Sequence, residues 1–88
     1  MNTMFRIYCE DVNRKLMEEI LSTYLQSFTI IPASGFYKGV RENSVVIEAF
    51  ETNKETVHEI CERLASYLSQ ELVVYTEHAC YITGTTKA

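Results

Sequence analysis

At 88 residues, 47% apolar and 23% charged, the chain has the composition of one globular domain, residues 1–88, with no disordered or fibrous character. Eight Lys and Arg stand against twelve Asp and Glu, a formal charge of −4, which excludes the net basic face that general nucleic-acid binding requires. No stretch nears the ~20 apolar residues of a membrane span, and Cys9, Cys61 and Cys80 are odd in number and far apart, so the sequence predicts a cytoplasmic chain with free thiols and no membrane partner.

Residues 4–9 alternate, with Phe5, Ile7 and Cys9 on one side and Met4, Arg6 and Tyr8 on the other, the period of a strand. From Asn13 the period lengthens. Leu16, Met17, Ile20, Leu21, Tyr24, Leu25 and Phe28 recur at three- and four-residue steps and predict an amphipathic helix, capped by Asp11 or Asn13. Thr29-Ile30-Ile31-Pro32 opens a second strand that resumes after Gly35; Pro32 has no N–H for a ladder and belongs at a bulge or on a sheet edge. Arg41 to Ser44 reads as a turn, and Ser44 to Glu51 as a third strand that completes a hairpin. Thr52-Asn53-Lys54-Glu55 matches a capping box ahead of a second helix, whose apolar face is Val57, Ile60, Cys61, Leu64, Ala65 and Leu68. Leu72 to Thr76 is a fourth strand, with continuation through Cys80 to Ile82 left open.

The predicted order, β-α-β-β-α-β, is the α+β ferredoxin-like arrangement: a four-stranded antiparallel sheet with two helices on one face. The third and fourth strands carry apolar residues on both sides. Val46, Phe50, Val73 and Tyr75 are expected on the uncovered side, and a small domain normally hides such a face against another chain, so self-association is predicted.

The segments Ile30-Ile31-Pro32-Ala33, Tyr37-Lys38-Gly39-Val40-Arg41-Glu42 and Val45-Val46-Ile47-Glu48 together resemble the CutA branch of the PII-like superfamily. There the second strand reads Ile-Ile-Pro-Gly and the hairpin carries Trp-x-Gly-x-x-Glu. They are also similar to short phage proteins with a Gly-aromatic-Trp-Lys-Gly-x-x-Glu-x-Ser segment. The resemblance implies a homotrimer with clefts between subunits that hold nucleotides or other small anions, and a hairpin that changes shape on binding. Tyr37 stands where both groups prefer Trp, and Ala33 where CutA has Gly.

Gly35-Phe36-Tyr37-Lys38-Gly39-Val40-Arg41 gathers two cations and two aromatics between two glycines in an otherwise acidic chain. Glycines let backbone N–H groups approach a phosphate, Lys38 and Arg41 neutralise it, and an aromatic ring stacks on a base. The alternative is a structural hairpin whose cations pair with Glu42 and Glu48. The candidate ligand residues are therefore Gly35, Phe36, Tyr37, Lys38, Gly39, Arg41, Glu42 and Glu48. Glu42, Glu48 and Glu77 supply hydrogen-bond acceptors for a ribose or base edge, but nothing in the spacing pairs them for catalysis. His78 and Cys80 share a strand face, and two ligands do not make a metal site. No cofactor and no catalytic set is predicted. The expected function is non-catalytic capture of a nucleotide-like anion, as sensor or sponge; the alternative is a structural or protein-interaction trimer, of cellular or phage origin.

Overall fold

Strand alternation and helical periodicity place six elements in the computed structural model, which describes residues 2–84: β1 Asn2–Glu10, α1 Arg14–Tyr24, β2 Phe28–Tyr37, β3 Val40–Ala49, α2 Lys54–Tyr67 and β4 Val74–Cys80. All pairings are antiparallel, and the sheet order is β2-β3-β1-β4. This is the ferredoxin-like order, with α1 and α2 packed on one face. Among the described residues no helix is long and apolar enough to cross a membrane.

The core lies between sheet and helices. Phe5, Ile7 and Cys9 of β1 and Val45, Ile47 and Ala49 of β3 point into it and meet Met17, Ile20 and Leu21 of α1 and Val57, Ile60, Cys61 and Leu64 of α2. Ile7, Met17, Leu21, Val45, Ile47, Val57, Ile60 and Leu64 are almost wholly excluded from solvent, each contributing about 1.5–3 kcal/mol of transfer free energy. Burial pushes the thiols of Cys9 and Cys61 up, to about 11 and about 12, so neither ionises at neutral pH.

Four details of chain geometry differ from the sequence expectation. The helix ends at Tyr24 rather than reaching Phe28; Leu25 is extended and Phe28 opens β2. Its cap is Asn13, one of the two residues expected, whose side chain accepts the Leu16 N–H at 3.2 Å, while Asp11 is drawn into an ion pair with Arg14. Arg41 to Ser44 are not a turn but ladder residues of β3. The chain reverses earlier, at Lys38-Gly39, where both residues have positive φ (51° and 78°) and form the tight two-residue turn whose twist matches the strands. Asn53, not Thr52, caps α2, accepting the Thr56 N–H at 2.8 Å. A polar run and a Thr-x-x-Glu pattern fit several registers; the backbone donors decide which is used.

The last difference matters most. Leu72 and Val73 precede β4, because α2 ends in a left-handed Ser69 (φ 52°) with the Gln70 N–H bonded back to the Ala65 carbonyl at 3.0 Å. The strand then starts at Val74, and Val73 and Tyr75 pack against the core instead of lying on the uncovered face. Phe50 lies past the end of β3. The apolar row that the uncovered face does carry is Ile31, Val46, Tyr8 and Val74, one residue from each strand in register. Pro32 sits on edge strand β2, opposite Val45.

Candidate functional site

The molecule is 48 Å long and 22 by 21 Å across, and the β2–β3 hairpin runs on past the last rung of β1, where Glu10 stands opposite Ser44. Alternation divides its residues between two sides. Phe28 and Ile30 pack against the core, so Phe36, and Arg41 opposite it, point to the helix side; Phe36 is 73% exposed there, and the Arg41 guanidinium donates to Ser34 Oγ at 3.0 Å. Gly35, Tyr37 and Glu42 belong to the other side. Lys38 and Arg41 therefore do not converge on one point as a pair.

On the uncovered side, the base of the hairpin and the segment between α2 and β4 enclose a cleft of about 520 Å³. Tyr8, Val46, Leu72 and Val74 supply apolar surface, and Glu10, Glu42, Ser44, Gln70 and Glu71 supply polar groups. Gly35, Tyr37 and Glu42, all candidates from the sequence, line it, whereas the Phe36 side chain points away to the helix side. Lys38 and Gly39 sit at the tip above it. Glu48 lies one row away, bonded to Arg6 at 3.1 Å.

Two contacts build the far wall. The Gln70 side chain accepts the Glu10 N–H at 2.9 Å and donates to the Glu10 carbonyl at 2.8 Å, extending the ladder on β1 beyond the start of β4. This fixes the following residue, Glu71, across from the hairpin. The Tyr37 hydroxyl donates to Glu71 Oε2 at 2.7 Å, and Lys38 Nζ lies 3.5 Å from the same oxygen and 5.2 Å from the centre of the Tyr37 ring.

Gly35 lies at a close approach between β2 and β3. A Cβ there would come within 2.5 Å of Ser44 Oγ, so its absence lets the Ser44 hydroxyl lie over β2. Glu42 stands near Glu10; desolvation first, then the Glu10 charge and a shared hydrogen bond, hold the Glu42 carboxyl above the ordinary carboxylate range. The cleft thus carries three carboxylates, Glu10, Glu42 and Glu71, against one ammonium, Lys38. Such a balance opposes a polyphosphate inside the cleft and suits hydroxyl, amine or cationic groups.

Glu10, Ser44, Gln70 and Glu71 were not sequence candidates. Glu71 meets Tyr37 across 34 residues and Gln70 meets Glu10 across 60, and their signal was limited to a polar break, Ser69-Gln70-Glu71, ahead of an apolar run. His78, at the other end of the sheet, bonds through Nε2 to Thr76 Oγ1 at 2.7 Å. Among the described residues no three His, Cys, Asp or Glu side chains cluster as metal ligands would.

No protein-family model matches the chain, and no curated protein matches its sequence. Solved structures do match its fold. A phage SAM lyase in its apo state is 20% identical over 88% of this chain and 79% of that one, with a TM-score of 0.72. CPII from Thiomonas intermedia, a nitrogen regulatory PII-like protein bound to ADP, AMP and bicarbonate, is 16% identical over 97% and 96% of the two chains, TM-score 0.68. CutA from Synechococcus elongatus is 15% identical over 90% and 77%, TM-score 0.53. At these identities the likeness is one of fold: the chain has the ferredoxin-like fold of PII-like and CutA proteins, the architecture that the segments between Ile30 and Glu48 imply.

Proposed function

We propose that the chain binds a nucleoside-type small molecule in the cleft between its hairpin and the α2–β4 segment, without transforming it. The observation that carries this reading is the make-up of the cleft. It has one apolar patch, Tyr8, Val46 and Leu72, broad enough for a base, beside carboxylates and a hydroxyl, Glu10, Glu42 and Ser44, suited to ribose hydroxyls. Its cation, Lys38, lies at the mouth, where a single phosphate remains in solvent. A nucleoside monophosphate satisfies all three regions, whereas a triphosphate would press charge onto the carboxylates. The nucleotide-bound PII-like neighbour supports the ligand class.

The working unit in this reading is a homotrimer. Ile31 and Val74, the exposed ends of the apolar row, meet a second chain, which closes the open side of the cleft. The physiological role is sensing or sequestering the ligand.

Calorimetric titration with AMP tests the reading. Lys38→Ala should weaken AMP by roughly 1.5–3 kcal/mol, as loss of a charge-assisted hydrogen bond does, and leave the fold intact. Light scattering should give the mass of three subunits, and Ile31→Asp should dissociate them. If neither AMP nor adenosine binds, the exposed tip residues Phe36 and Val40 favour a protein-interaction hairpin instead.

A second reading follows from the acidic wall. Three carboxylates favour a nucleoside with a cationic centre, and one neighbour of the same fold is a phage SAM lyase. Incubation with S-adenosylmethionine followed by chromatography separates the two: unchanged substrate keeps the non-catalytic reading, and cleavage replaces it.

A further inference from the structure

Two donors at the hairpin tip converge on one oxygen. The Tyr37 hydroxyl and the Lys38 ammonium both address Glu71 Oε2, at 2.7 and 3.5 Å. A neutral donor and a cation aimed at one point is how proteins hold the oxygen of a phosphate or carboxylate. Here that oxygen belongs to the protein. Lys38 adopts φ 51° at a turn position that favours Asn, Asp or Gly, and an ordinary side chain there is a backbone expense without local reward. Its ammonium, packed against the Tyr37 ring, supplies a reason for the choice.

Glu71 is 69% exposed, and an ion pair so placed is held weakly against water. Its backbone is not free to wander, because the neighbouring Gln70 is fastened to β1 through both of its amide atoms. The carboxylate can swing out while the wall stays in place.

We propose that Glu71 is an internal stand-in for the anionic group of the ligand: a phosphate monoester or carboxylate takes over the Tyr37 hydroxyl and Lys38 ammonium and displaces the Glu71 side chain into solvent. This rests on the proposed binding of a nucleoside-type molecule in the same cleft. It specifies which atoms receive the anion, and it makes the empty site self-capped, so that part of the intrinsic affinity is spent on exchange. A ligand without an anionic group does not compete with Glu71 and gains nothing from its removal.

The test compares AMP with adenosine, by calorimetry, on the full chain and on Glu71→Ala and Tyr37→Phe. Glu71→Ala should tighten AMP about three- to sixfold, the gain expected when an exposed pair of ordinary strength no longer occupies the site, and leave adenosine unchanged. Tyr37→Phe should weaken AMP more than adenosine. An equal change for both ligands in Glu71→Ala, or no change in AMP, overturns the inference while leaving the cleft as the binding site. Failure of both ligands to bind any variant overturns the proposed function, and this inference with it. A ligand-free measurement stands beside these. The bond to Glu71 holds the Tyr37 phenol above its ordinary range, so ultraviolet difference titration against Tyr37→Phe should show that phenol ionising at lower pH in Glu71→Ala. An unmoved titration shows that the contact is not formed in solution and overturns the proposal.

Discussion

On the helix-covered side of the sheet, Ile7, Val45 and Ile47 are sealed under two helices, and no polar side chain is buried among the described residues. On the other side, the same two strands, β1 and β3, present Tyr8, Val46 and then, toward the hairpin, Glu10, Ser44 and Glu42. One set of backbones carries both patterns, because successive side chains of a strand point to opposite faces. The covered side tolerates little except apolar volume. The open side mixes apolar and charged groups, and that mixture is affordable only where water or a ligand can reach the charges.

The largest expected effect probes the covered side. Leu64→Ala removes a fully buried side chain facing the sheet and should lower unfolding free energy by about 2–5 kcal/mol in urea titrations. A loss under ~1 kcal/mol would mean that the core relaxes around the gap as cores seldom do.

Gly35→Ala probes the open side. Its new methyl group meets Ser44 Oγ, and overpacking of this kind costs roughly 1–3 kcal/mol. The double variant Gly35→Ala with Ser44→Ala should recover most of the loss, since the hydroxyl is the nearest obstacle. Absence of recovery would place the strain in the backbone instead.

The Glu10–Glu42 pair gives a smaller effect of opposite sign. A carboxyl raised by folding ionises less readily in the folded chain, so its ionisation opposes folding. The penalty is absent below the ordinary carboxylate range, grows as pH rises from there through the raised value and is complete above it. Glu42→Gln should therefore raise Tm modestly at neutral pH and leave it unchanged below about pH 4. A drop at neutral pH would show that the charge of Glu42 is needed by a partner group.

Alkylation sharpens the contrast without changing stability. Cys9 and Cys61 are buried, with thiols raised to about 11 and about 12, whereas Cys80 is partly exposed. Cys80 should react first and the other two only on unfolding, as mass spectrometry of partly labelled protein would show. Early labelling of Cys9 would mean that β1 sits in the opposite register.

The same contrast explains what could be read in the sequence. Phe5, Ile7 and Cys9, or Val57, Ile60, Cys61 and Leu64, announce the covered side, because burial under a helix demands unbroken periodicity. The reversal at Lys38-Gly39 was missed because Arg41 to Ser44 is the more polar run, while the actual turn depends on backbone conformation that composition hides. Val73 and Tyr75 were assigned to the wrong side for a related reason: a left-handed Ser69 sets where β4 starts, and the start sets the parity of every later residue. Of the cleft, Gly35, Tyr37 and Glu42 were visible as one local segment. Glu10, Gln70 and Glu71 were not, since only the folded sheet brings them to the hairpin.

Pro32 has a consequence for how the chain behaves in company. Counting back from the tight turn, hydrogen-bonded pairs fall at Tyr37 with Val40, Gly35 with Glu42 and Ala33 with Ser44, so the opposition of Pro32 and Val45 is a pair without ladder bonds. The ring nitrogen of Pro32 accordingly faces outward, where a strand from another molecule would look for a donor. The ten-residue rim of β2 is in effect cut into two short templates. Either piece is long enough for a brief, specific contact in a closed ring of subunits, and neither supports the uninterrupted pairing from which a growing fibril is made.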